Sequence, residues 1–174
     1  MVKVRQDMGL TNVIPMLPFC RTLHEAEQVL AVMAEHGLIA KSIAKSGQPV
    51  TPVYMMCEIP SNVLLAEEFL DLFDGMSIGS NDLTQLTLGL DRDSGIVTHI
   101  GNEDNEAVHA LISMVIRKCT ARGKYIGICG QGPSDIPNFA EFLVREGIES
   151  MSLNPDSVVK TVEHVAEVED KLSH

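Results

Sequence analysis

Five times along this chain a short apolar run gives way to a segment of helical period, and that alternation leaves few folds open. The runs are 12–19, 53–59, 75–82, 124–129 and 150–153. Each is short for a helix and rich in Met, Ile, Val or Leu, as a buried strand requires. Between them apolar residues recur every three or four positions. Examples are Ala26, Val29, Leu30 and Met33, then Val63, Leu64, Phe69 and Leu72, then Val108, Leu111, Ile112, Val115, Ile116 and Cys119. Phe139, Phe142 and Leu143 follow, and Val158, Val159, Val162, Val165 and Val168 close the series. Strand–helix repetition predicts an α/β fold with a parallel sheet, because parallel neighbours need a crossover that a helix supplies. The strands read as apolar throughout, which predicts a sheet covered on both faces. Five units suit either an open doubly wound sheet or part of an eight-unit barrel, and pattern leaves both open.

Local signals place the boundaries. Thr22-Leu23-His24-Glu25 has capping-box spacing, with Gly37 as the stop. Pro60-Ser61 opens a second helix, and Gly123 and Gly147 close later ones. Asn154-Pro155 gives an N-cap followed by proline at the first helical position. Asp135 or Ser134 is expected to cap the helix through Phe139. Pro15 and Pro18 make the first strand irregular. Residues 83–103 have no clean period and predict a long βα loop of the kind that carries function.

At 174 residues the chain is the size of one domain, 1–174, and 45% hydrophobic residues suffice for a packed core. A net charge of −11 argues against nucleic-acid and anionic-membrane surfaces, which need clustered cations. No apolar run approaches a membrane span, and the first residues lack a signal-peptide core, so a cytoplasmic location is expected. Cys20, Cys57, Cys119 and Cys129 lack C-x-x-C spacing, which suits a reduced compartment.

Three of the runs end in chemically competent residues. The run at 53–57 ends in Glu58, the run from Gly75 ends in Gly79-Ser80-Asn81-Asp82, and the run at 124–128 ends in Cys129. Ligands of parallel α/β folds bind at strand C-termini. Each residue also has a plain structural reading. Glu58 and Asp82 can cap the next helix, and cysteine is often core packing. Two carboxylates on neighbouring strands about 5 Å apart can, however, share one Mg²⁺ and leave positions for substrate oxygens. Gly130-Gln131-Gly132 after Cys129 allows close backbone approach, and a thiol there can exchange a proton with a substrate carbon. Gly79, Ser80 and Asn81 offer N–H and amide donors to a carboxylate or phosphate. Among the histidines only His99, in the long loop, invites inspection for a role.

The long motifs carry a resemblance. Met-Met-Cys-Glu-Ile-Pro-Ser-Asn (55–62), the stretch from Ser77 to Gly95, Gly-Ile-Cys-Gly-Gln-Gly-Pro-Ser-Asp (127–135) and Ser-Leu-Asn-Pro-Asp (152–156) are similar to the C-terminal barrel of the PEP-utilising enzymes. The likeness runs from Met8 nearly to the end. Gly-Gln-Gly-Pro-Ser-Asp resembles the synthase branch, which phosphorylates pyruvate with ATP and water, more than pyruvate phosphate dikinase or the phosphotransferase-system enzyme I.

The resemblance implies a TIM-type barrel of which this chain holds about five C-terminal βα units, the fourth strand to the eighth. It implies Glu58 and Asp82 as Mg²⁺ ligands. Glu58, Gly79, Ser80, Asn81 and Asp82 would contact pyruvate or phosphoenolpyruvate, and Cys129 would be the proton donor and acceptor. The ATP-binding and phosphohistidine domains of the family are absent, as are the barrel strands with its substrate-binding arginines. Alternatives that stay open are an inert remnant that binds Mg²⁺ and ligand, another PEP-utilising transferase, and an aldolase-like metal lyase. Five strands would leave two open edges, so a marginal or self-associating chain, a possible homo-oligomer, is expected.

Overall fold

The computed structural model describes residues 1–91, 96–97, 100–136 and 138–173. His99 therefore lies outside the described residues, as do 92–95 of the long loop. Five parallel strands form one sheet: β1 (Met16–Leu17), β2 (Tyr54–Cys57), β3 (Gly75–Gly79), β4 (Tyr125–Cys129) and β5 (Ser150–Met151). Their spatial order is their chain order. A doubly wound sheet reverses direction at a switch point, and this one never does. Right-handed crossovers then put successive helices on the same face. The helices pack neighbour on neighbour accordingly, α1 (Leu23–Glu35) on α3 (Ala66–Leu72), α3 on α5 (Glu106–Ala121), α5 on α7 (Phe139–Glu146) and α7 on α8 (Val158–Leu172).

The expectation of a sheet covered on both faces is thereby corrected. Met55, Cys57, Met76, Ile78, Ile126 and Ile128 form paired rows on one face and belong to the core beneath the helices. Residues of opposite parity make the other face. There Tyr54 stacks on Tyr125 across Gly75, with ring centroids 4.5 Å apart, and the Tyr125 hydroxyl hydrogen-bonds Ser150 Oγ at 2.5 Å. That face mixes Tyr54, Met56 and Tyr125 with Gly75, Ser77, Gly79 and Gly127, and among the described residues carries no helix-covered apolar row.

Several boundaries move for local reasons. The first strand shrinks to two residues between Pro15 and Pro18, whose missing N–H groups limit pairing. The second helix divides at Leu65 into α2 (Pro60–Leu64) and α3, which leaves Leu64 61% exposed instead of on the buried stripe. The third strand stops at Gly79, and residues expected in a loop form α4 (Ser80–Leu88), which buries Leu83 and Thr84. Pro133, Ser134 and Asp135 lie in the single turn α6 (Gly132–Asp135), and Asn138 rather than Asp135 or Ser134 precedes α7. Asn154 starts a 3-10 turn, Pro155–Ser157, ahead of α8. The Thr22 cap is present: its hydroxyl accepts from the Glu25 N–H at 3.2 Å, while the Glu25 carboxylate takes the Arg21 N–H.

Two surfaces of this sheet are uncovered. β1 and β5 each have one strand neighbour, and on α8 Val159 is 71% and Val162 56% exposed while Val168 is buried. Unpaired strand edges and exposed apolar faces drive association. In size-exclusion chromatography the chain is expected to elute as more than its 19.0 kDa monomer, with a low, broad thermal transition. A monomer with a sharp, high melting transition counts against this.

Candidate functional site

The register of β2, β3 and β4 aligns the C-terminal ends of the three strands. Cys57 pairs with Ile78, and one step further Glu58 stands beside Gly79, which pairs with Cys129. Glu58, Gly79 and Cys129 thus occupy one row across three strands, on the face away from the helices. A Cβ at Gly79 would lie 2.7 Å from Glu58 Oε2 and 2.8 Å from Glu58 Cβ. The glycine is the space in which the Glu58 side chain lies, since real Cβ contacts do not come so close.

Glu58 is 6% exposed. Its Oε1 accepts the Phe19 N–H at 2.8 Å, a link from the loop after β1. Phe19 holds a left-handed backbone, φ 54°, which is unusual for an aromatic residue. Asn62 fixes the same corner: its Oδ1 accepts the N–H groups of Glu58 at 3.3 Å and Ile59 at 3.0 Å, and its amide donates to the Cys20 carbonyl at 2.7 Å. Burial raises the Glu58 carboxyl above the ordinary carboxylate range. The Phe19 N–H opposes that shift, and the Asp82 charge adds to it.

Asp82 arrives differently from the expected strand end. Gly79 ends β3, and Ser80, Asn81 and Asp82 form the first turn of α4. The helix start supplies backbone N–H groups with no intrahelical partner beside Asn81 and Asp82. Ser80 is fully buried, and its hydroxyl donates to the Cys129 carbonyl at 3.1 Å. The first turn of α4 is thereby bonded to the end of β4.

Cys129 is the half-exposed member of the four free cysteines; the other three are buried. Burial is the main reason its thiol stands above the usual value. The Ser77 hydroxyl, two residues up β3 on the same face, pulls the other way by a hydrogen bond. The charges of Glu58 and Asp82 push it up further. The charge of Asp82 thus reaches both Glu58 and Cys129, which ties the three sequence-derived residues to one neighbourhood. Among the described residues no group of three His, Cys, Asp or Glu side chains is arranged for a metal. What is present is a pair of carboxylates with no cation among the causes that shift Glu58. A divalent ion that keeps waters or substrate oxygens for its other positions suits such a donor set.

The structure adds residues that the sequence reading did not single out. Ser77 is one, and its signal was its parity with Gly79 along β3. Glu103, 8% exposed and set against Gly130 and Gly132, is another, and no spacing pointed to it. The Phe19 N–H and Asn62 complete the set. A cavity of about 310 Å³ opens beside Asn81, between α4 and Gln131, with Thr84, Gln85 and Glu103 in its walls.

The raised Glu58 pKa has a consequence for stability. A carboxyl whose folded pKa exceeds the unfolded one resists ionisation in the fold, so stability falls as pH rises through the folded value. In metal-free buffer, Glu58→Gln is expected to unfold at higher urea than the parent at pH 7. The gap should close as pH drops to the ordinary 4.5 and below. Equal urea midpoints at pH 7 would refute the electrostatic account.

Comparison with known proteins agrees with the motifs. The family model described as PEP-utilising enzyme, PEP-binding domain, matches residues 1–170. The phosphoenolpyruvate synthase of Synechocystis is 60% identical over 170 residues, which is 98% of this chain and 20% of that protein. The phosphoenolpyruvate synthase of Escherichia coli is 57% identical over 166 residues, 95% of this chain and 20% of that one. The chain thus spans about a fifth of these relatives. Among solved structures, a citrate lyase from Burkholderia xenovorans is 20% identical with a TM-score of 0.57, covering 86% of this chain and 47% of that one. An HpcH/HpaI aldolase from Desulfitobacterium hafniense is 16% identical with a TM-score of 0.55, covering 92% and 66%. Those two likenesses speak to fold alone. With the match running over nearly every residue, this chain belongs to the PEP-utilising enzyme family, as its PEP-binding domain.

Proposed function

We propose that this chain is the pyruvate- and phosphoenolpyruvate-binding part of a phosphoenolpyruvate synthase. The observation that carries the reading is the placement of Glu58 and Cys129 in one row of strand ends, with Asp82 in the helix turn that follows β3, in a chain 57–60% identical to proteins of that name. The unreversed strand order supports a further step: the five βα units are an arc of an eight-unit TIM-type barrel, whose remaining strands would continue from β1 and β5. A separate domain bearing a phosphohistidine, charged from ATP, is the expected phosphoryl donor.

In this reading Glu58 and Asp82 hold Mg²⁺, which supplies positive charge that stabilises an enolate. The two carboxylates suit it, because a cation would relieve both the burial of Glu58 and its repulsion with Asp82. Backbone N–H groups at the start of α4 and the Asn81 amide face the substrate carboxylate. The Cys129 thiolate takes a proton from the pyruvate methyl carbon. The C–H electron pair becomes the new C=C bond, and the carbonyl pair moves onto oxygen, which accepts the phosphoryl group. In reverse, the Cys129 thiol returns the proton to the methylene carbon. A thiol held protonated by burial is suited to that donor role.

The test is Mg²⁺-dependent exchange of pyruvate methyl protons with deuterated solvent, followed by NMR. The parent chain is expected to exchange, and Cys129→Ala to lose about 10²-fold or more of the rate while still binding oxalate with Mg²⁺. Glu58→Gln and Asp82→Asn are expected to lose both exchange and oxalate binding. Oxalate binding without exchange in the parent would leave an inert binding remnant. Binding of neither ligand would refute the site.

A further inference from the structure

The buried carboxylate of Glu103 has no place in the scheme above, yet it lies against the turn that follows Cys129. It enters from the segment just ahead of the Asn105 cap of α5. A Cβ built on Gly130 would stand 3.1 Å from Glu103 Oε1, and one on Gly132 would stand 2.7 Å from Glu103 Oε2. The carboxylate thus straddles both glycines, and those glycines lack side chains where it sits. The Ser80 hydroxyl crowds Gly130 from a second side, and the Phe139 ring, 2.9 Å from the same virtual atom on Gly132, closes a third. Gly130 has φ 140°, a backbone that L side chains rarely adopt. The turn is therefore held from three directions within three residues of the thiol.

This clamp is built at a cost. Glu103 is 8% exposed, and its Oε1 is buried without a hydrogen-bond partner among the described residues. The single Ser80 hydroxyl is shared between the Cys129 carbonyl, 3.1 Å away, and the Glu103 carboxylate. Burial pushes the Glu103 carboxyl up, with the Ser80 hydroxyl and the Gly132 N–H opposing and Asp135 adding. A buried, incompletely bonded carboxylate destabilises a fold unless something else depends on it. An apolar side chain of similar size would fill the same space without that penalty.

We propose that Glu103 is a positioning residue: it fixes the Gly130–Gly132 turn and, through it, the orientation of the Cys129 thiol. It acts on proton transfer through the turn that carries Cys129, while Glu58 and Asp82, the metal ligands of this reading, lie on other elements. The inference rests on Cys129 as the proton-transfer group, but its geometry has a readout independent of that role. Cys20, Cys57 and Cys119 are buried, so iodoacetamide alkylation of the folded chain, located by peptide mass, reports on Cys129.

The variants are Glu103→Ala, Glu103→Asp and Glu103→Gln, each checked for fold by circular dichroism. Removing or shortening the side chain (Ala, Asp) is expected to change the Cys129 alkylation rate by about threefold or more, and Gln, which keeps the shape, to stay within twofold of the parent. In pyruvate proton exchange, Ala and Asp are expected to lower kcat about tenfold or more with KM within twofold, and Gln to restore most of it. If Asp, or Ala where it folds, alkylates and exchanges like the parent, the positioning role is overturned. A rise in KM matching the fall in kcat/KM overturns it as well, because that is loss of binding. If the parent shows no exchange at all, the proton-transfer part of the proposed function fails, and the alkylation series alone decides the role of Glu103.

Discussion

Everything at this site depends on the unreversed parallel register of three adjacent strands. Residues of like parity line up across such a sheet. One parity puts Met55, Cys57, Met76, Ile78, Ile126 and Ile128 under the helices. The other puts Glu58, Gly79 and Cys129 in a single row. A slip of one residue in β3 would send Gly79 into the helix layer and a side chain into Glu58. The core rows that stabilise the fold and the row that aligns Glu58, Gly79 and Cys129 are thus the same register seen from two sides. Burying the first fixes the second.

The electrostatics of the row are deliberately unbalanced. Glu58 is buried with a neighbouring acid and one backbone N–H, the Cys129 thiol is raised by burial and by the charges of Glu58 and Asp82, and beside the row Glu103 is buried with Asp135 nearby. No arginine or lysine is among the causes that shift these three groups. Elsewhere on the same chain acids are paired in the ordinary way, as Arg122 with Glu67 and Asp71, or Arg145 with Glu141. The contrast separates the two uses of carboxylates. Surface acids meet cations and settle, whereas Glu58 and Glu103 have no cationic side chain among the causes that shift them, the condition in which a cation or a proton brought by a ligand has most effect.

Much of this was legible beforehand, and the exceptions have physical reasons. Alternation of apolar runs with helical periods was enough for the class and for all five strands. Glu58, Asp82 and Cys129 were legible because abrupt chemistry at the end of an apolar run stands out. The coverage of the sheet was not, because Met, Tyr and Ile read as apolar on both parities, while the decisive residues of the second face are glycines and serines. The extent of β3 was misjudged since Ser80-Asn81-Asp82 serves a helix start as readily as a loop. Glu103 and the Phe19 N–H were invisible in principle: one is a lone acid in an aperiodic stretch, the other a main-chain group, and only the fold brings them to Glu58 and Cys129.

The Phe19–Glu58 hydrogen bond has a further meaning. Among the described residues the Phe19 N–H is the donor that anchors Glu58 Oε1, and Phe19 follows β1, a two-residue strand at the rim of the sheet. Its left-handed backbone costs on the order of 1–3 kcal/mol, so the rim must be held from outside its own short ladder to keep that conformation. The buried Glu58 carboxylate is therefore tethered to a two-residue strand at the edge of the sheet. Whatever seals that rim, be it neighbouring strands or a companion chain, also sets the aim of Glu58. A single main-chain hydrogen bond thus couples the order of the sheet edge to the orientation of Glu58.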